Sequence, residues 1–296
     1  MTKRRTRVAP PRLLETHADY LLLTGLEDGI IRHAGGWQAF RRDIPALLRQ
    51  AIDEVIDAPR SKRFTVAELE KTEKTYIGTK VEILLRNHLG VERGEVMDLL
   101  IDGTEVDVKN TIKFAWTIPN ETLNHPCILI SADEESSLCS FGLIVIRSEV
   151  LNTGRNRDQK TTIRRDQLHN ALWMLFDQPY PGNFWQYLSP EHRQAIMKPR
   201  GGTERLARLF TLYQRRPISR TLVQALAQQH DYMKRLRKNG GARDLLKQQG
   251  VALLSGKTHR LLITQLGLPQ TSPEDFISVT PTNSEEHTLL AAAGEL

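Results

Sequence analysis

The sequence predicts two domains. Residues 1–176 read as an α/β domain, a mixed sheet flanked by helices; 177–183 read as a linker; 184–296 read as a mainly α, winged helix-turn-helix domain. Three observations lead there. A chain of 296 residues is about two domains long. Helical and strand patterns alternate before residue 177, whereas three helical stripes and one strand follow 183. Charge divides the same way: Asn183–Arg260 holds 16 Lys and Arg against 4 Asp and Glu, or +12, while the rest holds 25 against 31, or −6. The net charge is +6.

The elements follow in order. Residues 1–12 are basic and contain prolines, the pattern of a loose arm. Ala46, Leu47, Ala51 and Val55, with Ile52 and Ile56 beside them, give helical spacing within 13–60. A second helical stretch runs from Thr65 to about Leu89, with Ile77, Val81, Leu84 and Leu85 on one face and Gly90 as its stop. Glu95–Lys109 reads as two short strands around Asp102-Gly103, a strong two-residue hairpin signal. His125–Ser131 and Ser140–Arg147 read as buried strands, and Arg164–Phe176 as an amphipathic helix. Asp177–Asn183 packs two prolines and a glycine into seven residues, which makes it the linker.

Beyond the linker, Thr203 suits the cap of a helix carrying Leu206, Leu209, Phe210 and Tyr213. Ser219 suits the cap of the next, with Leu222, Val223 and Leu226 inward. Gly240-Gly241 breaks the pattern; Ala242–Gln249 reads as a short third helix ended by Gly250, and Val251–Ser255 as a strand. The segment from Leu261 has five acidic residues and no Lys or Arg, a composition that leaves room for disorder at its end.

Composition also excludes. Charged residues at 26% are ordinary for a globular protein. No apolar run approaches a membrane span, and no long apolar segment follows the basic start, which argues against a secretory signal. Two cysteines, Cys127 and Cys139, build neither a disulfide framework nor a four-cysteine zinc site, so a reducing, cytoplasmic home fits best. A segment at +12 suggests a polyanionic partner, nucleic acid first; a basic solvated surface is the bland counterpart.

The chemistry concentrates in the hairpin. If Asp102-Gly103 are the loop, paired positions sum to 205, and Asp98 faces Asp107 with Cβ atoms roughly 5 Å apart. Lys109, two residues on from Asp107, shares that face. Like charges set opposite each other ask for compensation, which a hard cation supplies: carboxylates, a substrate phosphate oxygen and waters make a typical Mg²⁺ site. Such a metal activates water and neutralises phosphoryl charge, while Lys109 stabilises developing negative charge or orients the attacking water. Asp-x-Lys also arises by chance, and an acidic hairpin also suits a solvated edge. Leu99, Ile101, Val106 and Val108 point to the other face, so one side of the sheet is buried.

This hairpin resembles the PD-(D/E)XK nuclease motif, with Asp98 as the first acid and Asp107-Val108-Lys109 as the second half; Met97 stands where the pattern has proline. More specifically, Glu70–Glu82 is similar to the segment before this motif in NaeI-type restriction endonucleases. So are Asn156-Arg157-Asp158, Ala227–Arg235 and Gly240–Arg243. The resemblance spans roughly residues 45–256. It implies a type II restriction endonuclease of a restriction–modification system. The N-terminal domain would be the nuclease and the C-terminal winged helix would bind DNA. It also implies a homodimer that cuts double-stranded DNA with Mg²⁺ and is activated by a second duplex. By matched position Glu82, Asp98, Asp107 and Lys109 inherit the catalytic roles, with Asp98, Asp107 and Glu82 on the metal. Without the resemblance, Glu82 is a surface helix acid facing Arg86 at i+4.

Candidate DNA contacts lie in the basic half: Arg220, the run Lys234, Arg235, Arg237 and Lys238, and Arg243 and Lys247 on the third helix. The run equally suits favourable charge at a helix C-terminus, and periodicity does not choose which helix reads the groove. Tyr76-Ile77-Gly78 is half of a GIY-YIG motif without its other half; Gly78 would instead let a nucleic-acid backbone approach closely. No Gly-x-x-x-x-Gly-Lys loop points to NTP use. Two other readings stay open: a DNA-binding regulator with a degenerate nuclease domain, and a DNA-repair nickase.

Overall fold

Alternating strand and helix signals condense, in the computed structural model, into two compact units. The structure describes residues 7–154, 156–228 and 231–296. The first unit takes in the chain up to Val55 and Val66–Asn183; the second takes Ile56–Thr65 and Phe184–Leu296.

The chain opens with α1 (Tyr20–His33) and α2 (Trp37–Ile56), followed by the one-turn α3 (Ala58–Ser61) of the second unit. Phe40, Ile44, Leu48, Ala51 and Ile52 repeat at helical spacing along α2 and are all buried. Next comes α4 (Lys71–Leu89), which starts with a capping box between Glu70 and Glu73; the Glu70 N–H donates to the Glu73 carboxylate at 2.8 Å. It stops at Gly90, whose φ of 64° is the left-handed turn a glycine takes most readily.

The hairpin follows as β1 (Leu99–Ile101) and β2 (Thr104–Thr111). Leu99 pairs with Val106 and Ile101 with Thr104, so the positions do sum to 205. Asp102 and Gly103 both take positive φ, 47° and 82°, as a tight hairpin turn needs. The Asp102 carboxylate accepts from Arg32 and His33 at the end of α1. There Gly29 lets the turn come close: a Cβ on it would meet the Asp102 carboxylate at 2.4 Å.

After the two-residue β3 (Thr117–Ile118), β4 (Pro126–Asp133) and β5 (Leu138–Val145) form a buried pair. The two-residue β6 (Thr161–Thr162) pairs with β3. The main sheet runs β1-β2-β4-β5-β7, with β7 at Leu172–Pro179. Only β2 and β4 are parallel; the other neighbours are antiparallel. Helix α1 lies against β1, β5 and β7, and α4 against β2.

Two expectations fail near the end of this unit. Arg164–Phe176 is not an α-helix: Arg165–Asn170 is a 3-10 turn, and β7 follows. The run Leu172-Trp173-Met174-Leu175-Phe176 is apolar on both sides, and such a run does not separate strand from helix by period. The strand wins because β5 offers an open edge and Gly142 offers room. A Cβ on Gly142 would lie 2.6 Å from the Trp173 ring. Nor is 177–183 a free linker. Asp177 accepts the Arg7 backbone N–H at 2.7 Å, the Tyr180 hydroxyl donates to Glu134 at 3.1 Å, and the Asn183 amide donates to the same carboxylate at 3.3 Å.

The second unit contains α5 (Pro190–Met197), α6 (Gly202–Leu212), α7 (Arg220–Ala227), α8 (Met233–Leu236) and α9 (Ala242–Lys247). Then come β8 (Ala252–Ser255), α10 (Arg260–Gln265), β9 (Phe276–Val279) and α11 (Ser284–Ala292). Ile56–Thr65 belongs here because Phe64 packs on Trp185, centroids 5.2 Å apart, and Arg193 lies over the Phe64 ring. Ser219 caps α7 as expected, accepting the Leu222 N–H. The residue before α6 is Gly201, and Thr203 lies inside the first turn rather than at its cap. The C-terminal segment is also ordered. Strand β9 pairs with β8, and Leu290 of α11 joins Ala252, Leu254, Ile277 and Val279 in one apolar cluster. Among the described residues no helix is long and apolar enough to cross a membrane.

Candidate active site

The register fixes the site. Leu99 opposite Val106 puts Asp98, the residue before β1, alongside Asp107. The Val108 N–H donates to the Asp98 carboxylate at 2.8 Å. Asp107 is 4% exposed, and both of its oxygens are engaged: Lys109 Nζ donates to one at 2.6 Å, the Thr122 hydroxyl to the other at 2.8 Å. On β4, Cys127 lies in register with Asp107 and Leu129 with Lys109. Both join an apolar cluster with Trp116, Ile144 and Ile146 that backs the site.

Electrostatics follow from burial. Desolvation pushes the Asp98 carboxyl up to about 7, with a hydrogen bond to Asp107 adding to it and the Val108 N–H opposing it. The pair therefore resists carrying two full negative charges. Burial likewise raises Glu82, against the pull of Arg86, Arg93 and Lys109. For Lys109 burial acts downward, yet the Asp107 carboxylate outweighs it and holds the amine charged.

The expected constellation is thus brought together unevenly. Asp98, Asp107 and Lys109 share one hydrogen-bonded cluster. Glu82, on α4, feels their charges but has Arg86 at 3.9 Å as its ion-pair partner. Among the described residues no three carboxylate, imidazole or thiol groups form a ready-made cage. Two carboxyl groups that resist being ionised side by side fit a hard cation, which would favour the ionised pair, and Mg²⁺ commonly draws the rest of its shell from water and phosphate oxygens.

Two residues were missed by sequence reasoning. Thr122 is one: no spacing rule connects a threonine in a 3-10 turn to an acid 15 positions earlier. Glu105 is the other. Its carboxylate accepts the N–H groups of Glu95, Val96 and Met97, at 2.7, 3.1 and 2.6 Å, which holds the loop that delivers Asp98. Its place just after the Asp-Gly turn was the available signal. On α4, Gly78 has open space where a Cβ would stand.

The basic candidates of the second unit divide. Arg243 is held inside, donating to the Glu295 carboxylate at 2.7 Å and to the Leu253 carbonyl, so its guanidinium is engaged within the fold rather than offered to a groove. Lys238 also reaches Glu295, at 3.2 Å. Arg220 pairs with Glu274 at 2.8 Å, and Asp231 lies within 3.5 Å of Lys234 and 3.8 Å of Arg237, all on exposed side chains. The basic run lies in and just after the single turn of α8 rather than at the end of a long helix. Lys247 is exposed at the end of α9. Part of the positive charge is structural: buried Arg205 donates to the Leu226 and Arg200 carbonyls. Gln229 and His230, within the Ala227–Arg235 similarity, lie outside the described residues.

The Glu295 cluster carries a prediction. Burial acts to raise this carboxyl, but His259, Arg243 and Lys238 overcome it and hold the group at about 2. Its folded value lies below its unfolded one. The stabilisation is therefore full above the ordinary glutamate range and fades as pH falls from about 4.5 toward 2. Glu295→Gln should cost roughly 2–3 kcal/mol near neutrality. The gap to the unaltered protein should close in acid. Denaturant unfolding at several pH values checks this; a gap that stays constant with pH would refute it.

Comparison with known proteins adds two findings. A family model described as "Restriction endonuclease NaeI" matches residues 41–289. A protein named "Type II restriction enzyme NaeI", from Lentzea aerocolonigenes, is 32% identical over 232 residues, covering 75% of this chain and 73% of that protein.

Proposed function

The chain belongs to the NaeI restriction endonuclease family, and on that premise we propose that it is a type II restriction endonuclease hydrolysing phosphodiester bonds of double-stranded DNA. The observation that carries this is the buried Asp98–Asp107 pair with Lys109 hydrogen-bonded to it, inside the matched region. A decayed nuclease domain has no reason to keep opposed carboxylates at a cost in stability.

Asp98 and Asp107 would hold Mg²⁺, with Glu82 near enough to add its charge. The bound cation supplies charge neutralisation at the phosphate and activation of water. Lys109, kept protonated by Asp107, stabilises the negative charge that develops as the phosphodiester is attacked. Glu105 and the Val108 N–H keep Asp98 in place. We read α6–α9 with the β8–β9 ribbon as the winged-helix DNA-binding module. Arg220, Lys234, Arg235, Arg237, Lys238 and Lys247 are its phosphate contacts, and Arg243 is a support beneath them. The working form is a cytoplasmic homodimer.

The test is a supercoiled plasmid bearing the target, incubated with and without Mg²⁺. Linear product only with Mg²⁺ supports the reading. Nicked circles alone would mean a nickase, and binding without scission would mean a regulator.

Activation by a second DNA copy is part of the same proposal. It requires that the second duplex bind one conformation better than another, and the coupling is reciprocal, typically about 1–3 kcal/mol. A one-site plasmid should therefore be cut slowly and accelerated by short cognate duplexes added in trans, while DNA in the nuclease site tightens the second duplex by about 5–150-fold. Noncognate duplexes should act poorly. A flat response of initial rate to added duplex would remove the second site from the mechanism.

A further inference from the structure

Asp107 is gripped from two sides, and only one grip belongs to the Asp-x-Lys pattern. The other comes from Thr122, 1% exposed, in the 3-10 turn Asn120–Thr122 that precedes β4. At 2.8 Å the Thr122 hydroxyl donates to the Asp107 carboxyl oxygen Oδ2. The turn is itself fixed: the His125 N–H donates to the Thr122 carbonyl at 3.0 Å, and the Asn124 N–H to the Ile146 carbonyl at 2.7 Å. Lys109 holds Oδ1 while Thr122 holds Oδ2, so the carboxylate cannot turn about its own bond without breaking a charge-assisted hydrogen bond.

We propose that Thr122 is a positioning residue that sets the orientation of Asp107 for cation binding. This rests on the reading of Asp107 as a metal ligand. A ligating carboxylate is normally oriented by a hydrogen bond behind it, and loss of such a partner typically costs about 10–100-fold in metal affinity or activity. A threonine that served only to pin its loop would find a backbone carbonyl sufficient. Here the hydroxyl is committed to the buried acid and reaches it from a separate element.

The test uses the full-length protein with Thr122→Val, which keeps the shape and loses the donor, and Thr122→Ser, which keeps the donor. Mn²⁺ binding by calorimetry without DNA, and the Mg²⁺ concentration for half-maximal cleavage, are read with the melting temperature. Thr122→Val should weaken metal binding or cleavage by about 10–100-fold, while Thr122→Ser stays close to the unaltered protein. Wild-type metal binding and cleavage in Thr122→Val overturns the proposal, as does equal impairment of both variants. If Thr122→Val fails to fold, Thr122→Ala against Thr122→Ser decides on the same criterion. Asp107→Ala is run alongside. If it still cuts, the reading of the site is wrong; if it is inactive while Thr122→Val is normal, only this inference falls.

Discussion

Asp107→Ala should abolish cleavage while leaving DNA binding near that of the unaltered protein. The expected loss is at least about a thousandfold, or some 4 kcal/mol of barrier. Asp107 is the centre of the cluster: removing it strips Lys109 and Thr122 of their shared acceptor and takes away a metal ligand. A carboxylate repels phosphate, so its removal takes no charge attraction away from DNA binding. Asp98→Ala should behave likewise. Lys109→Ala should also be severely impaired, and arginine should not rescue it, because a planar fork cannot replace a compact ammonium packed against one oxygen. Plasmid linearisation measured beside fluorescence anisotropy separates the two functions. Cleavage near the wild-type rate in either aspartate variant would displace the site from this hairpin.

The second large effect is on binding. If the basic unit neutralises about 6–10 phosphates, affinity for duplex DNA should fall by roughly 10³–10⁵ between about 50 and 200 mM salt, because each neutralised phosphate releases counterions. Replacing Lys234, Arg235, Arg237 and Lys247 with glutamine should flatten the log–log slope by about 0.9 for each phosphate left unneutralised. Lys238 is better left alone in that experiment. It is tied to Glu295, and changing it mixes a folding defect with a binding one. A slope unchanged in the fourfold variant would mean that the positive charge is a solvated surface.

Much of this was legible beforehand, for physical reasons. Asp102-Gly103 specifies a tight turn, the turn specifies the register, and the register places Asp98 beside Asp107. Glu70, Glu73 and Gly90 bound α4 through local capping chemistry alone. What stayed hidden depends on distant partners. Leu172–Phe176 becomes a strand because β5 is there to receive it. The acid-bearing C-terminal segment orders because its apolar side chains have a cluster to enter, and Glu295 has Lys238, Arg243 and His259 to meet. Arg243 resembles a groove reader only while Glu295, 52 residues away, is out of view. Thr122 is invisible for the same reason.

The grouping of Ile56–Thr65 with the C-terminal half also bears on how this protein can be taken apart. The chain passes between the units twice more than a simple two-domain string would require: out at Val55, back at Val66, and out again after Asn183. A protease that cuts once near residue 183 leaves Ile56–Thr65, a piece of the second unit's fold, on the N-terminal fragment. A gene fragment starting there would lack Phe64 and leave Trp185 without its neighbour. Exchanging one half for a relative's therefore needs three junctions rather than one, and the natural module for such a swap is the second unit together with its ten-residue outpost.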